Sequence, residues 1–289
     1  MEIIRTSKTI TDQERAEILF RGDLLIQTDI KAMHQVIVWT RDLLDQTLPI
    51  NATKIQASLD PKAFLKHTAK AQESFRKSEA IRKHFFGALV ECGVDIQHTY
   101  YDHFPLRIVP SGDEYGGARN SSISHHRDTW GSCIHSQINW WAPIFELEKS
   151  RTIAIYPDYW THPLANNTQQ WRFEKHIESR RITPKGMQAP YPSAPSPTEA
   201  VNESNMIPVM LNPGDILSFS SAHLHASVPN TSSFTRYSVE MRTINLADLQ
   251  QNRMAPNVDN QGERPMYQWF KRITDKQSLQ AEIGTGDRS

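Results

Sequence analysis

The chain has 289 residues and carries 32 basic (Lys and Arg) and 32 acidic side chains, so its formal charge is zero. This balance argues against a nucleic-acid partner or an anionic membrane surface, because no excess of basic side chains is available to neutralise phosphates. No run approaches the roughly 18–20 apolar residues that span a bilayer, and the N-terminus lacks a signal segment, so we expect a cytoplasmic protein. Cys92 and Cys133 form no CxxC motif and predict neither a disulfide framework nor a zinc knuckle.

The first third of the sequence predicts helices. Thr11 and Glu14 have the spacing of a capping box, and Asp60 followed by Pro61 is a typical helix start. Apolar residues then recur at helical intervals over residues 81–90. This stripe predicts a face that packs against a sheet.

From about residue 97 the pattern changes to short strands separated by Gly, Pro and Asn turns. The stretch "CIHSQINWWAPIF" alternates with a period of two, which places Gln137, Asn139 and Trp141 on one face. Many short strands with such turns favour a sandwich or barrel. A polar insert at about 160–205 contains a proline-rich run, which predicts a long loop.

We therefore predict one domain over residues 1–289, mainly β with a helical N-terminal part. Residues 1–95 form a mainly helical buttress, and residues 96–246 form the β core that carries the insert. Residues 247–289 form a polar C-terminal tail.

The segment "SISHHRDTWGS" contains the first candidate metal ligands. On a strand, His126 and Asp128 point to the same side, and a third ligand from a neighbouring strand, His225, completes a set that can hold one ion. Two histidines and one carboxylate with open positions are typical of non-haem Fe(II) oxygenases, where the open positions admit a chelating co-substrate and dioxygen. The alternatives are a hydrogen-bonded surface pair for the first two residues and a core histidine for the third.

Two further histidines lie beside these candidates. His223 shares a strand face with His225 and is a rival ligand, whereas His125 points to the opposite face from His126.

A candidate anion clamp follows on the next predicted strand. Arg236 lies eleven residues after His225, and Ser238 lies two residues further on the same face. A guanidinium and a hydroxyl so placed can bind a distal carboxylate, the former through two hydrogen bonds. The alternative for Arg236 is a structural salt bridge, and we interpret Arg242 as structural.

Other polar and aromatic residues are candidates for the wall of the site. The amides of Gln137 and Asn139 can reach the co-substrate carboxylate next to the keto group, or they can satisfy buried backbone groups. Arg107 can line the pocket or cap a sheet edge. Aromatic candidates for a substrate pocket, which alternatively belong to the core, are Tyr115, Trp130, Trp141 and Trp160.

These motifs resemble those of the Fe(II)/2-oxoglutarate-dependent dioxygenases, and within them the phytanoyl-CoA dioxygenase-like branch. The matching residues are His126-Arg127-Asp128, the block "NPGDILSFSSAHLHASVPN" and Arg236. The resemblance covers about residues 97–245, and its Ser-x-Pro-Asn sequence after the metal histidine favours His225 over its rival. One departure from the family pattern is the 97-residue interval between Asp128 and His225, which is longer than in compact members. We assign the excess to the insert.

The resemblance implies a double-stranded β-helix (jelly-roll, cupin-like) core with Fe(II), 2-oxoglutarate and O2 as cofactor and co-substrates. It implies conversion of 2-oxoglutarate to succinate and CO2, coupled to oxidation of an unactivated C–H bond of a small molecule. Halogenating members have a small residue at the position of Asp128, so the carboxylate favours hydroxylation or a related oxidation. We also expect the insert to cover the mouth of the barrel.

Two other classes of function stay open. A cupin-like isomerase or dioxygenase uses a similar metal site without 2-oxoglutarate and needs no clamp at Arg236 and Ser238. A non-catalytic binding module keeps the fold without binding Fe(II).

Overall fold

A computed structural model describes residues 1–112, 115, 122–184 and 189–284 of the chain, and parts of the predicted insert (185–188) and tail (285–289) lie outside this description. Its helices are α1 (Asp12–Phe20), α2 (Lys31–Thr47), α3 (Pro61–Lys77), α4 (Glu79–Glu91), α5 (Asp128–Ser132), α6 (Phe173–Ile182), α7 (Leu246–Gln250) and α8 (Leu279–Glu282). Its strands are β1 (Ile3–Thr6), β2 (Leu24–Gln27), β3 (Thr99–Tyr101), β4 (Leu106–Val109), β5 (Gln137–Pro143), β6 (Ile153–Ile155), β7 (Ile207–Pro208), β8 (Ile216–Ser220), β9 (His225–Ser227), β10 (Arg236–Asn245) and β11 (Lys271–Arg272).

Two sheets face each other. The larger, mixed sheet has the strand order β1-β2-β8-β5-β10-β3-β11, with β4 also paired to β10, and the smaller sheet has the order β7-β6-β9. Leu24, Trp141 and Phe219 of the larger sheet share one apolar cluster with Ile153 and Ile155 of the smaller sheet. This shared core makes the two sheets a sandwich.

Helices cover the other face of the larger sheet. Phe75 and Phe85, from α3 and α4, are buried in one cluster with Ile138 and Trp140 of β5 and Met241 of β10. The apolar stripe of α4 therefore packs against a sheet, as its periodicity predicts.

The predicted helix starts are also confirmed. The Thr11 hydroxyl accepts from the Glu14 backbone N–H at 3.2 Å, and the Glu14 carboxylate accepts from the Thr11 N–H at 2.9 Å. Asp60 caps α3, with Pro61 in its first turn. Ser78 ends α3 and caps α4, so the long helical stretch divides into two helices.

The proportions of helix and strand correct the expectation of a mainly β chain. More described residues lie in helices than in strands, and even the insert at 160–205, predicted as a loop, contains α6. Conversely, the N-terminal part contributes β1 and β2 to the larger sheet. The four-residue run of β2 is buried throughout, so it shows no alternation that distinguishes a strand from a helix.

Candidate metal centre and the cavity beside it

The three predicted metal ligands lie together. One ligand atom from each of His126, Asp128 and His225 falls within 4.8 Å of the others. His126 Nε2 is 4.0 Å from Asp128 Oδ1, and His225 Nε2 is 3.6 Å from Asp128 Oδ2. This grouping of two imidazoles and a carboxylate fits a first-row divalent metal such as Fe(II).

The backbone brings the two histidines together directly. His126 and His225 form an isolated antiparallel bridge in which each N–H donates to the other's carbonyl at 3.0 Å. The sequence pattern predicts that Asp128 lies on the same strand as His126. Instead, Asp128 begins the short helix α5. The turn into α5 still places the carboxylate beside both rings.

Each histidine is held in a tautomer that leaves Nε2 available to a metal. His126 Nδ1 lies 2.8 Å from the Ser124 carbonyl oxygen, and His225 Nδ1 lies 3.0 Å from the His223 carbonyl oxygen. Because a carbonyl only accepts, the proton is on Nδ1 in both rings, and Nε2 keeps its lone pair.

The charge states of the three groups also suit metal binding. Burial, together with the neighbouring His225, lowers the pKa of His126 to about 4, and burial lowers the pKa of His225. Burial opposes ionisation of Asp128, but Arg242 and the two histidines outweigh it and lower the pKa of the carboxyl. At neutral pH the site therefore offers two neutral imidazoles and one carboxylate.

The neighbouring histidines point elsewhere. The ring nitrogens of His223 lie 3.1 Å and 3.0 Å from the carbonyl oxygens of Ser220 and Gly22, so this ring is a buried structural group and not a metal ligand. His125 Nε2 lies 3.0 Å from a carboxylate oxygen of Glu203, away from the three candidate ligands.

Two side chains hold the Asp128 carboxylate. Asn139 donates to its Oδ2 at 2.5 Å, and Arg242, interpreted from sequence as structural, donates to its Oδ1 at 2.9 Å. Gln137, the other predicted amide, donates to Ser221 at 2.7 Å and does not line the cavity described next.

A cavity of about 100 Å³ extends from the candidate ligands between the two sheets. Its polar wall includes Arg107, Asn139, Arg236, Glu240 and Arg242, and its apolar wall includes Trp141, Ile153 and Phe219. No described residue of the insert at 160–205 lines it. The predicted covering role of the insert therefore finds no contact in the described part of the chain.

Arg236 is a buried cation that forms no salt bridge among the described residues, although the charge of Glu240 in the same cavity acts on it. It is 4% exposed, and its guanidinium donates to the Thr152 carbonyl at 2.5 Å and to the Ser227 hydroxyl at 3.2 Å. Its Nε has no hydrogen-bond partner in the described part of the chain, nor does the fully buried Oγ of Ser238. Burial lowers the pKa of Arg236 to about 10, so the group remains charged at neutral pH.

Arg107, in contrast, already has a partner at the cavity wall. Its Nη2 lies 2.6 Å from Glu240 Oε1, and both side chains are 28% exposed. Arg236 is therefore better placed than Arg107 to bind an added anion.

The predicted pocket aromatics divide between the site and the core. Trp141 lines the cavity. Trp130 is buried and donates to Asp259, Trp160 stacks on His223 with ring centroids 4.4 Å apart, and Tyr115 packs edge-on against Phe64.

Within the described residues, no helix is both long and apolar enough to cross a membrane.

No protein-family model matches the chain, and no curated protein matches it in sequence. Solved structures to which the chain is similar include EvdO2 from Micromonospora carbonacea var. aurantiaca in complex with 2-oxoglutarate, at 13% identity, 84% coverage of this chain, 94% coverage of that chain and a TM-score of 0.46. AviO1 from Streptomyces viridochromogenes Tue57 is 13% identical over 87% of this chain and 100% of that chain, with a TM-score of 0.44. The epimerase SnoN in complex with Fe3+, alpha ketoglutarate and nogalamycin RO is 10% identical over 81% of this chain and 85% of that chain, with a TM-score of 0.41.

Proposed function

We propose that the protein is a non-haem Fe(II)- and 2-oxoglutarate-dependent oxygenase that oxidises an unactivated C–H bond of a small molecule. One observation carries the proposal: the cavity lined by His126, Asp128 and His225 is also lined by Arg236, a buried guanidinium that forms no salt bridge among the described residues. A metal site alone fits many enzymes. A metal site beside a buried cation that forms no salt bridge favours an anionic co-substrate in the same cavity.

The donor set and the cavity fit both absent groups. His126, Asp128 and His225 would hold Fe(II), and Arg236 would bind the distal carboxylate of 2-oxoglutarate, whose charge would neutralise the guanidinium. Ser238, the predicted second donor, keeps a hydroxyl without a partner among the described residues, but it is not one of the residues that line the cavity. When bound, Fe(II) and 2-oxoglutarate together would activate dioxygen, and 2-oxoglutarate would be converted to succinate and CO2.

The chain's own residues then orient and shield the reacting groups. The carbonyls that accept from both Nδ1 atoms fix the imidazoles, while Trp141, Ile153 and Phe219 form an apolar wall that limits access of water. The carboxylate of Asp128 occupies the position that halogenating enzymes leave empty, which favours hydroxylation. Of the two predicted amides, Asn139 is at the cavity wall and is the better candidate for contact with the co-substrate.

We further propose that the sandwich is a double-stranded β-helix of the phytanoyl-CoA dioxygenase-like type. The support is the antiparallel bridge between His126 and His225, the first residue of β9, which itself pairs with β6. This bridge joins the two ligand-bearing motifs, as the resemblance requires. A single cytoplasmic domain over residues 1–289 completes the proposal.

The proposal is tested by calorimetric titration of 2-oxoglutarate into the full-length protein loaded with Mn(II), which binds the same ligands without turnover. We expect one molecule bound per chain, and binding about thirtyfold weaker or worse in Arg236→Gln, because losing a buried charged partner costs about 2–5 kcal/mol.

Arg253→Gln is the matched control, since Arg253 pairs with Asp248 and does not line the cavity. Binding of Mn(II) without any binding of 2-oxoglutarate would contradict the proposal and favour a cupin-like enzyme that needs no such co-substrate. No Mn(II) binding at all would favour a non-catalytic module.

A further inference from the structure

Both oxygens of Asp128 are already engaged by neighbouring side chains. Asn139 donates to Oδ2 and Arg242 donates to Oδ1. The two donors are direct partners in the antiparallel pairing of β5 with β10, so they lie side by side on the sheet face that lines the cavity. The carboxylate therefore meets two donors that one sheet holds at a fixed spacing.

Arg242 is itself fixed by a second carboxylate. Its Nε and Nη2 lie 2.6 Å and 2.5 Å from Asp102 Oδ2, and its backbone N–H donates to Asp102 Oδ1 at 3.2 Å. The Asp102 side chain is 3% exposed, and its Oδ2 also lies 2.7 Å from His103 Nδ1. Asp102 directly follows β3, which pairs with β10, so the anchor belongs to the same sheet.

One guanidinium thus spans two carboxylates, Asp102 on one side and Asp128 on the other. The planar fork of arginine donates in both directions at once, whereas a lysine ammonium is a point charge on a flexible stem. Asn139 is supported in a similar way, because Ser221 donates to its Oδ1 at 2.5 Å. The orientation of Asp128 is therefore determined by β3, β5 and β10 as well as by its own helix.

We infer that Arg242 is a positioning residue of the metal site: it holds Asp128 in an orientation in which the carboxylate would bind a metal through one oxygen and would leave other positions open. A carboxylate free to rotate can bind through both oxygens and occupy a position that a co-substrate needs. The inference rests on the proposed function, because it presupposes that these residues hold a metal with open positions. Partners of this kind typically contribute 10–100-fold to metal affinity.

The test is a titration of the full-length, metal-free protein with Co(II), followed through the visible ligand-field bands, which report coordination number as well as affinity. In Arg242→Gln we expect Co(II) binding about 10–100-fold weaker than in the wild type. We also expect a changed band shape, because the carboxylate can then rotate. Arg242→Lys keeps the charge, so part of the affinity returns while the band shape stays altered.

Arg253→Gln is again the matched control. Arg253 is 25% exposed and pairs with the buried Asp248 at 2.8 Å, much as the 21% exposed Arg242 pairs with Asp102. Its loss lowers stability without changing the affinity or the spectrum of Co(II).

A folded Arg242→Gln variant with the wild-type affinity and spectrum would overturn the inference and leave the proposed function intact. If that variant does not fold, a wild-type spectrum and affinity in Arg242→Lys overturn it instead. If the wild-type protein binds no Co(II), the result contradicts both the proposed function and the inference.

Discussion

His223 and His225 show how two identical residues, two positions apart, acquire different roles. Both are buried, but His223 has a carbonyl oxygen beside each ring nitrogen, whereas His225 uses only Nδ1 in this way and leaves Nε2 facing Asp128. Sequence alternation places both on one face and cannot separate them. The Ser-x-Pro-Asn sequence after His225 predicts this histidine as the ligand, and its Nε2 beside Asp128 supports that prediction.

At the same scale, the Asp102–Arg242 pair makes stability depend on pH. Burial opposes ionisation, but Arg242 and His103 lower the pKa of Asp102 to about 2 from its usual 3.8. A lowered folded-state pKa means that the stabilisation is complete above pH 3.8 and is lost as the pH falls through about 2. Asp102→Asn should therefore reduce the free energy of unfolding by about 2 kcal/mol at pH 7 and by much less near pH 2.

Urea denaturation of the metal-free wild type and variant at a series of pH values measures this difference. An equal loss at pH 7 and near pH 2 would show that the ionised carboxylate is not the source of the stabilisation.

At the scale of elements, β10 organises the cavity, and part of this was accessible from sequence. Alternation along the strand places Arg236, Ser238, Glu240 and Arg242 on one face, so charge at the cavity wall is predictable. The contact of Arg242 with Asp128 is not, because it depends on where α5 begins relative to the sheet. The same holds for Asp102, whose role arises from the pairing of β3 with β10 across more than a hundred residues.

The packing of α4 gives a prediction at this scale. Phe85 is fully buried in the apolar cluster that also contains Trp140 and Met241 of the larger sheet, whereas Val90 on the same helix is 48% exposed. Phe85→Ala should lower the free energy of unfolding by about 3–5 kcal/mol, because it removes apolar contact and leaves a cavity. Val90→Ala is the matched control and should change it by less than about 0.5 kcal/mol.

Urea denaturation of both variants, monitored by circular dichroism, provides the measurement. Similar small losses for the two would mean that α4 does not pack against the sheet as described.

At the scale of the whole molecule, the balanced overall charge conceals a local imbalance. Most charged groups in the cavity are paired with one another, as Arg107 is with Glu240 and Arg242 with Asp102 and Asp128. Arg236 is the exception within the described residues, because it forms no salt bridge there, and composition cannot reveal this because only the fold determines which acids a cation can reach. The site combines motifs almost a hundred residues apart, and their order along the chain, more than any local propensity, made it predictable.

The central claim, that one cavity binds Fe(II) and 2-oxoglutarate together, is tested most directly by an anaerobic titration. Metal-free protein receives Fe(II) and then 2-oxoglutarate, while the visible charge-transfer band of the chelate is recorded. We expect the band in the wild type and in His223→Ala, its loss in His225→Ala, and a much higher 2-oxoglutarate requirement in Arg236→Gln. Bound Fe(II) with no band at any 2-oxoglutarate concentration would contradict the claim and leave Arg236 a structural role.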